Sequence, residues 1–170
     1  EDIRDLFTGL NGGTNLGAAG AAFSAANATA VVSVAKANKF GEDLAIAHHP
    51  NAVMRLARDA AVIGSGTVRP IPQGYSAQLL EKVWKGYMIW DVPVFESGNI
   101  NRDASDDAIG VIMSKDALGV LQSLAPDTER ERKATLRGWN VVMVSDYAAF
   151  EMDDARGAGL LYDAVNPATS

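Results

Sequence analysis

The stretch from Gly86 to Leu124 constrains the fold most. Ala108 to Met113 is six residues without a single charged or strongly polar side chain. A strand of that kind has no alternation, so both its faces must be covered. It therefore belongs in the interior of a sheet with further layers packed on it. Ser114 reads as the cap of a helix over 115–124, stopped by Pro126. Upstream, Met88 to Glu96 reads as another strand, and its Pro93 predicts an edge position or a bulge. The polar segment Asn99–Asp107 between the two strands is a loop.

The same reading extends along the chain. Ile3, Leu6, Phe7 and Leu10 recur at helical spacing, which predicts a short helix over 1–10. Asn11–Ala22 is rich in Gly and Ala and reads as a loop or hinge. A phosphate-cradling role would need a Gly-Lys-Ser/Thr ending, which is absent. Ser24 is suited to cap a helix reaching Ala37, with Ala28, Val31, Val32 and Ala35 on its buried face and Gly41 as its stop. Leu44–His48 is a short strand. Pro50 fits the first position of the next helix, whose apolar stripe is Val53, Leu56, Ala57 and Ala60. Val62–Tyr75, with two prolines and three glycines, reads as a long irregular loop, and Ser76 as the cap of a helix over 77–85. Thr128–Arg137 alternates charge. It is a solvated strand or helix edge, or a row of ion pairs that fixes register between copies of the chain. Trp139–Met152 is aliphatic and aromatic, Asp153–Gly157 a turn, and Ala158–Ala164 a final strand. The fold class is α+β. A mixed α/β unit spans Leu44–Leu124, and the terminal segments form a more strand-rich one.

Composition excludes several kinds of function. With 170 residues the chain can bury a core without covalent staples. It contains no cysteine, so disulfides, thiolate catalysis and the usual zinc sites are ruled out. Its net charge of −6 argues against gripping nucleic acid as a main task. No apolar run is long enough to span a bilayer, and no signal peptide is evident. Beginning on Glu1 rather than Met, the chain is expected to be processed, trimmed or partial.

Catalytic, cofactor and metal sites are all expected to be none. His48 and His49 are neighbours on a strand and point to opposite faces, so they cannot share one ion; they read as a polar pair at a strand end. Asn99, Asn101, Asp103 and Ser105 alternate like a calcium loop, but Ala104 and Gly110 stand where Gly and Glu are required. The loop acids Asp103, Asp106 and Asp107 could give at most weak cation binding. Gly64, Ser65 and Gly66 lack the full nucleophile elbow. Gly157 and Gly159 precede a strand rather than a helix, unlike a dinucleotide fingerprint. Tyr87, Trp90, Phe95, Trp139, Tyr147, Phe150 and Tyr162 read mainly as core, although obligate interfaces also favour aromatics.

Four passages taken in order resemble the major capsid proteins of tailed bacteriophages, whose fold is shared with encapsulins and herpesvirus capsid floors. The strand Leu44–His48 followed by His49, Pro50 and a helix is similar to the family's first axial strand. Leu80–Ser97, with Val92, Pro93 and Val94, resembles its leucine helix and Val-Pro-Val passage. Ala108–Leu118 resembles the small apolar strand that follows. Gly159–Ala168 resembles a closing strand that ends in Pro-Ala. The resemblance implies a mixed α/β axial domain over 38–126. A strand-rich peripheral domain would come from 1–37, as a segment and hinge, and from the return strands of 127–170. The chain is expected to be too short for the family's N-terminal arm, extended loop and full spine helix, which would have been removed, lie outside this sequence, or be lacking in a compact relative.

What the resemblance implies for function is a virion shell protein. Copies would self-assemble into hexamers and pentamers of an icosahedral head, built in the host cytoplasm. Portal, scaffolding or decoration proteins are implied partners. Double-stranded DNA would be enclosed and contacted only non-specifically, with no membrane involved. The Val62–Tyr75 loop is expected at axial contacts and the Thr128–Arg137 run at peripheral ones. Two other readings stand beside this: a small α/β enzyme using Asp103, Asp106, His48 or His49 at a loop-built site, and a capsid-associated decoration protein.

Overall fold

The structure is a computed structural model that describes residues 2–62, 87–133, 135 and 137–167. The Val62–Tyr75 loop, beyond Val62 itself, and the helix expected over 77–85 lie outside the described residues. The class is α+β, as expected. In chain order the elements are α1 (Asp2–Asp5) running into a 3₁₀ turn (Leu6–Thr8), β1 (Leu16–Ala22), α2 (Ala25–Ala37), β2 (Leu44–His48), α3 (Pro50–Val62), β3 (Tyr87–Ile89), β4 (Val92–Glu96), β5 (Asp107–Ser114), β6 (Leu118–Lys133), β7 (Gly138–Glu151) and β8 (Gly157–Asp163).

Six strands form one sheet in the order β1-β8-β5-β2-β4-β3. β5 sits inside it, antiparallel to both β2 and β8. Ile112 and Val111 face opposite sides and both are fully buried, as the unbroken apolar run requires. β2 runs parallel to β4, and β1 parallel to β8. The sheet draws strands from all three segments 1–37, 38–126 and 127–170.

Both faces of β8 are covered, by different parts of the chain. A side chain at Gly157 or Gly159 would meet Leu10, Asn15 and the Phe7 carbonyl, so the N-terminal segment lies on that face. Alternation places Ala158, Leu160 and Tyr162 on the other face, where Phe23 packs on Tyr162. Helix α2 buries Ala28, Val31, Val32 and Ala35, the four residues its spacing predicts. Ser24 caps it by accepting from the Asn27 N–H, and Asp59 of α3 accepts from the Ala25 N–H at the same end. A side-chain carboxylate in this position satisfies one of the free backbone N–H groups of the first turn. The chain leaves α2 through Lys39 at φ 57°, not through Gly41 alone. Helix α3 begins at Pro50 and buries Ala52, Val53 and Leu56.

Four expectations are corrected. The Gly/Ala segment 11–22 is a loop only as far as Asn15, and β1 follows. The small side chains of β1 give it little strand propensity, and pairing with β8 makes it a strand, with an irregular register between Gly17 and Ala22. Met88–Glu96 is a hairpin, turned at Trp90 (φ 50°) and Asp91 (φ 65°). This two-residue turn has the all-positive φ signature of type I′, without its usual Asn-Gly. β3 takes the edge, and Pro93 lies one strand in, opposite Met88. Finally, residues 115–124 are not a helix. Lys115–Ala117 form a turn, and β6 begins at Leu118 because it pairs along its length with β7. Local capping signals lose to that long-range ladder.

Candidate assembly surface

The residues that could have carried chemistry serve the fold. His48 is fully buried, stacked on Phe23 at 5.4 Å between ring centres. Its Nδ1 accepts from the His49 N–H (2.9 Å) and its Nε2 donates to the Leu160 carbonyl (3.2 Å). The ring thus crosses β5 at Gly110, where any Cβ would fall 2.3 Å from it, and reaches β8. Burial drives its pKa down to about 4, against a smaller upward pull from the Leu160 hydrogen bond. His49 uses Nδ1 to accept from the Asn51 N–H at the start of α3. Its pKa is lowered by burial first and by the charge of Arg102 second.

The loop acids are likewise engaged. Asp103 accepts from the backbone N–H groups of Ser105 and Asp107, closing its own turn. Asp106 pairs with Arg102 at 2.8 Å and Asp107 accepts from Gly20 of β1. A cleft of about 460 Å³ beside them is lined in part by Arg4, Asn101, Asp103 and Asp107. Arg4 turns to Asp5 and to the Asn99 carbonyl. Among the described residues, no three His, Cys, Asp or Glu side chains converge as a metal site. No described helix is long and apolar enough to cross a membrane.

The aromatic residues are distributed differently from expectation. Tyr162 is core. Trp90, Phe95, Trp139, Tyr147 and Phe150 are exposed, and the side chain of Tyr87 lies outside the described residues. The buried rings are Phe7, Phe23 and Phe40 instead, all in the first quarter of the chain.

The exposed aromatics concentrate on a ribbon. Among the described residues, β6 and β7 pair only with each other, over 16 and 14 residues. At about 3.4 Å per residue the ribbon is about 45 Å long. Its base is held where Ala117, fully buried, accepts from the Met152 and Asp153 N–H groups. Beyond that, both faces are exposed. Directly opposed residues share a face, and the register assigns them. One face presents Leu121, Leu124, Val142, Val144 and Phe150. The other presents Val120, Trp139, Val141, Met143 and Tyr147. All ten are exposed, Trp139 by 68% and Met143 by 70%. A two-stranded ribbon is at best marginal alone, and apolar patches of this extent on a folded chain mark contact surfaces. Among the described residues no strand pairs with either of its long edges. The charged run Thr128–Lys133 lies on this ribbon as strand. Sequence reading singled out that run but missed the apolar character of its two faces, because it placed 115–124 in a helix.

No protein-family model matches the sequence, and a comparison with curated proteins finds no relative. Solved structures do resemble it. A chain from Mycobacterium phage Che8 superposes with a TM-score of 0.62 at 12% identity, covering 95% of this chain and 55% of that one. A chain of the Cyanophage P-SCSP1u capsid gives 0.56 at 14% identity, covering 84% and 48%. A chain of the SrpI encapsulin complex from Synechococcus elongatus gives 0.53 at 12%, covering 84% and 52%. The chain spans about half the length of each. The fold is therefore the one that the sequence resemblance implied, the capsid fold of tailed phages and encapsulins.

Proposed function

We propose that this chain, having a capsid fold, is a shell protein that acts by assembling with copies of itself. The observation that carries the reading is the β6–β7 ribbon, apolar and exposed on both faces. Its role is structural rather than catalytic. Copies form hexamers and pentamers, and these close into an icosahedral phage head around double-stranded DNA. The net charge of −6 suits a wall that confines DNA rather than one that binds it site by site. Axial contacts fall to segment 38–126 and peripheral ones to the return strands of 127–170. Portal, scaffolding or decoration proteins would meet the assembled surface, and the particle would be built in the host cytoplasm and found in the virion.

The test is the solution size of the purified full chain, by light scattering and negative-stain imaging over a concentration series. Rings or closed particles are expected. A chain that stays monomeric at high concentration, with the ribbon folded, overturns the proposal.

A further inference from the structure

The alternating charges of the ribbon are sorted by sign onto its two faces. Strand geometry sends neighbouring residues to opposite sides. Asp127, Glu129 and Glu131 stand opposite Val144, Val142 and Asn140, on the face that also carries Asp146. Lys133, opposite Gly138 near the tip, is the one cation of this face among the described residues. Arg130 and Arg132 stand opposite Val141 and Trp139 on the other face. Its one acid among the described residues, Glu151, is opposite Leu118 at the base. One face is therefore acidic with Val142 and Val144, and the other is basic with Trp139 and Met143. Glu129, Arg130, Glu131 and Arg132 have no ion-pair partner among the described residues.

We propose that the ribbon is a directional connector between copies of this chain: the acidic face of one copy packs on the basic face of the next. This rests on the shell reading above and specifies how the copies meet. Packing like face on like would set carboxylates against carboxylates, or guanidinium groups against each other, among apolar side chains that exclude water. Such juxtapositions are costly, and more so when desolvated. Packing unlike faces pairs Arg130 and Arg132 of one copy with Glu129 and Glu131 of its neighbour, while the valines meet Trp139 and Met143. Face-to-face stacking of two sheets brings them about 10 Å apart, within reach of these side chains. The contact uses two different surfaces, so it is heterologous. Repeated with a constant rotation, it generates a ring when that rotation closes and an open filament when it does not, rather than a closed pair.

Charge reversal tests this on the full chain. Glu129→Arg with Glu131→Arg makes both faces basic, and Arg130→Glu with Arg132→Glu makes both acidic. Each double variant alone should lose association by at least about tenfold, with its melting curve unchanged because all four sites are exposed. Mixed in equal amounts, the two should co-assemble in alternation. The quadruple variant, with its faces exchanged, should assemble by itself. Double variants that assemble like the wild type, or a mixture that stays unassembled, overturn the directional contact while leaving the shell reading intact. A wild-type chain that never assembles overturns both.

Discussion

Acidification is expected to destabilise this fold through the imidazole of His48. The folded chain holds its pKa at about 4, against 6.5 when unperturbed. Between those values the unfolded chain binds a proton that the folded chain refuses, so stability falls as pH falls. The contribution is complete above pH 6.5 and is lost as pH drops through about 4. The gap sets a limit of about 3 kcal/mol, of which about 2 kcal/mol is already gone at pH 5. His49, also depressed by burial, acts in the same direction. Protonation also abolishes the acceptor at Nδ1 on which the His49 N–H depends. The assay is urea unfolding of the dilute, unassembled chain between about pH 7 and pH 4.5, for wild type and His48→Gln. Glutamine offers a donor and an acceptor but does not titrate. It should cost about 1–2 kcal/mol at neutral pH and remove about 2 kcal/mol of the loss between neutrality and pH 5. Equal slopes in the two proteins, or an NMR titration of His48 centred near its ordinary value, would refute the reasoning.

Three further outcomes are expected. Gly110→Ala puts a methyl group 2.3 Å from the His48 ring and 2.5 Å from the Ala47 carbonyl. It should destabilise the fold by about 3 kcal/mol or more, read as a fall in melting temperature or loss of soluble protein. Trp139→Ser with Met143→Ser should leave the stability of the unassembled chain within about 0.5 kcal/mol while lowering the assembled fraction in sedimentation. Ser24→Ala removes the side-chain acceptor at the start of α2 and should cost about 1 kcal/mol in urea unfolding.

What could be read from the sequence was whatever a single segment decides for itself. Helix α2 was legible down to its four buried residues, because its cap and its 3.6-residue period are local. So was β5, since an unbroken apolar run of that length leaves few alternatives. β1 was not, because glycine and alanine carry no strand signal and only β8 makes that segment a strand. Residues 115–124 went wrong because Ser114, Lys115, Asp116 and Ala117 imitate a helix start. The Trp90–Asp91 turn was missed because neither residue advertises a positive φ. The contact surface was half legible. The charge alternation of 128–133 raised the idea of contacts between copies, but sorting the signs by face required the register with β7.

The position of β8 also bears on the order in which the sheet can form. In chain order it is the final strand of the main sheet, yet it lies between β1 and β5. A ribosome therefore releases the whole ribbon before it releases the strand that seats β1 against the rest. An interrupted translation product can carry the exposed ribbon but cannot complete the sheet at its base. Polypeptides broken off before Gly157 thus lack the strand that joins β1 to β5.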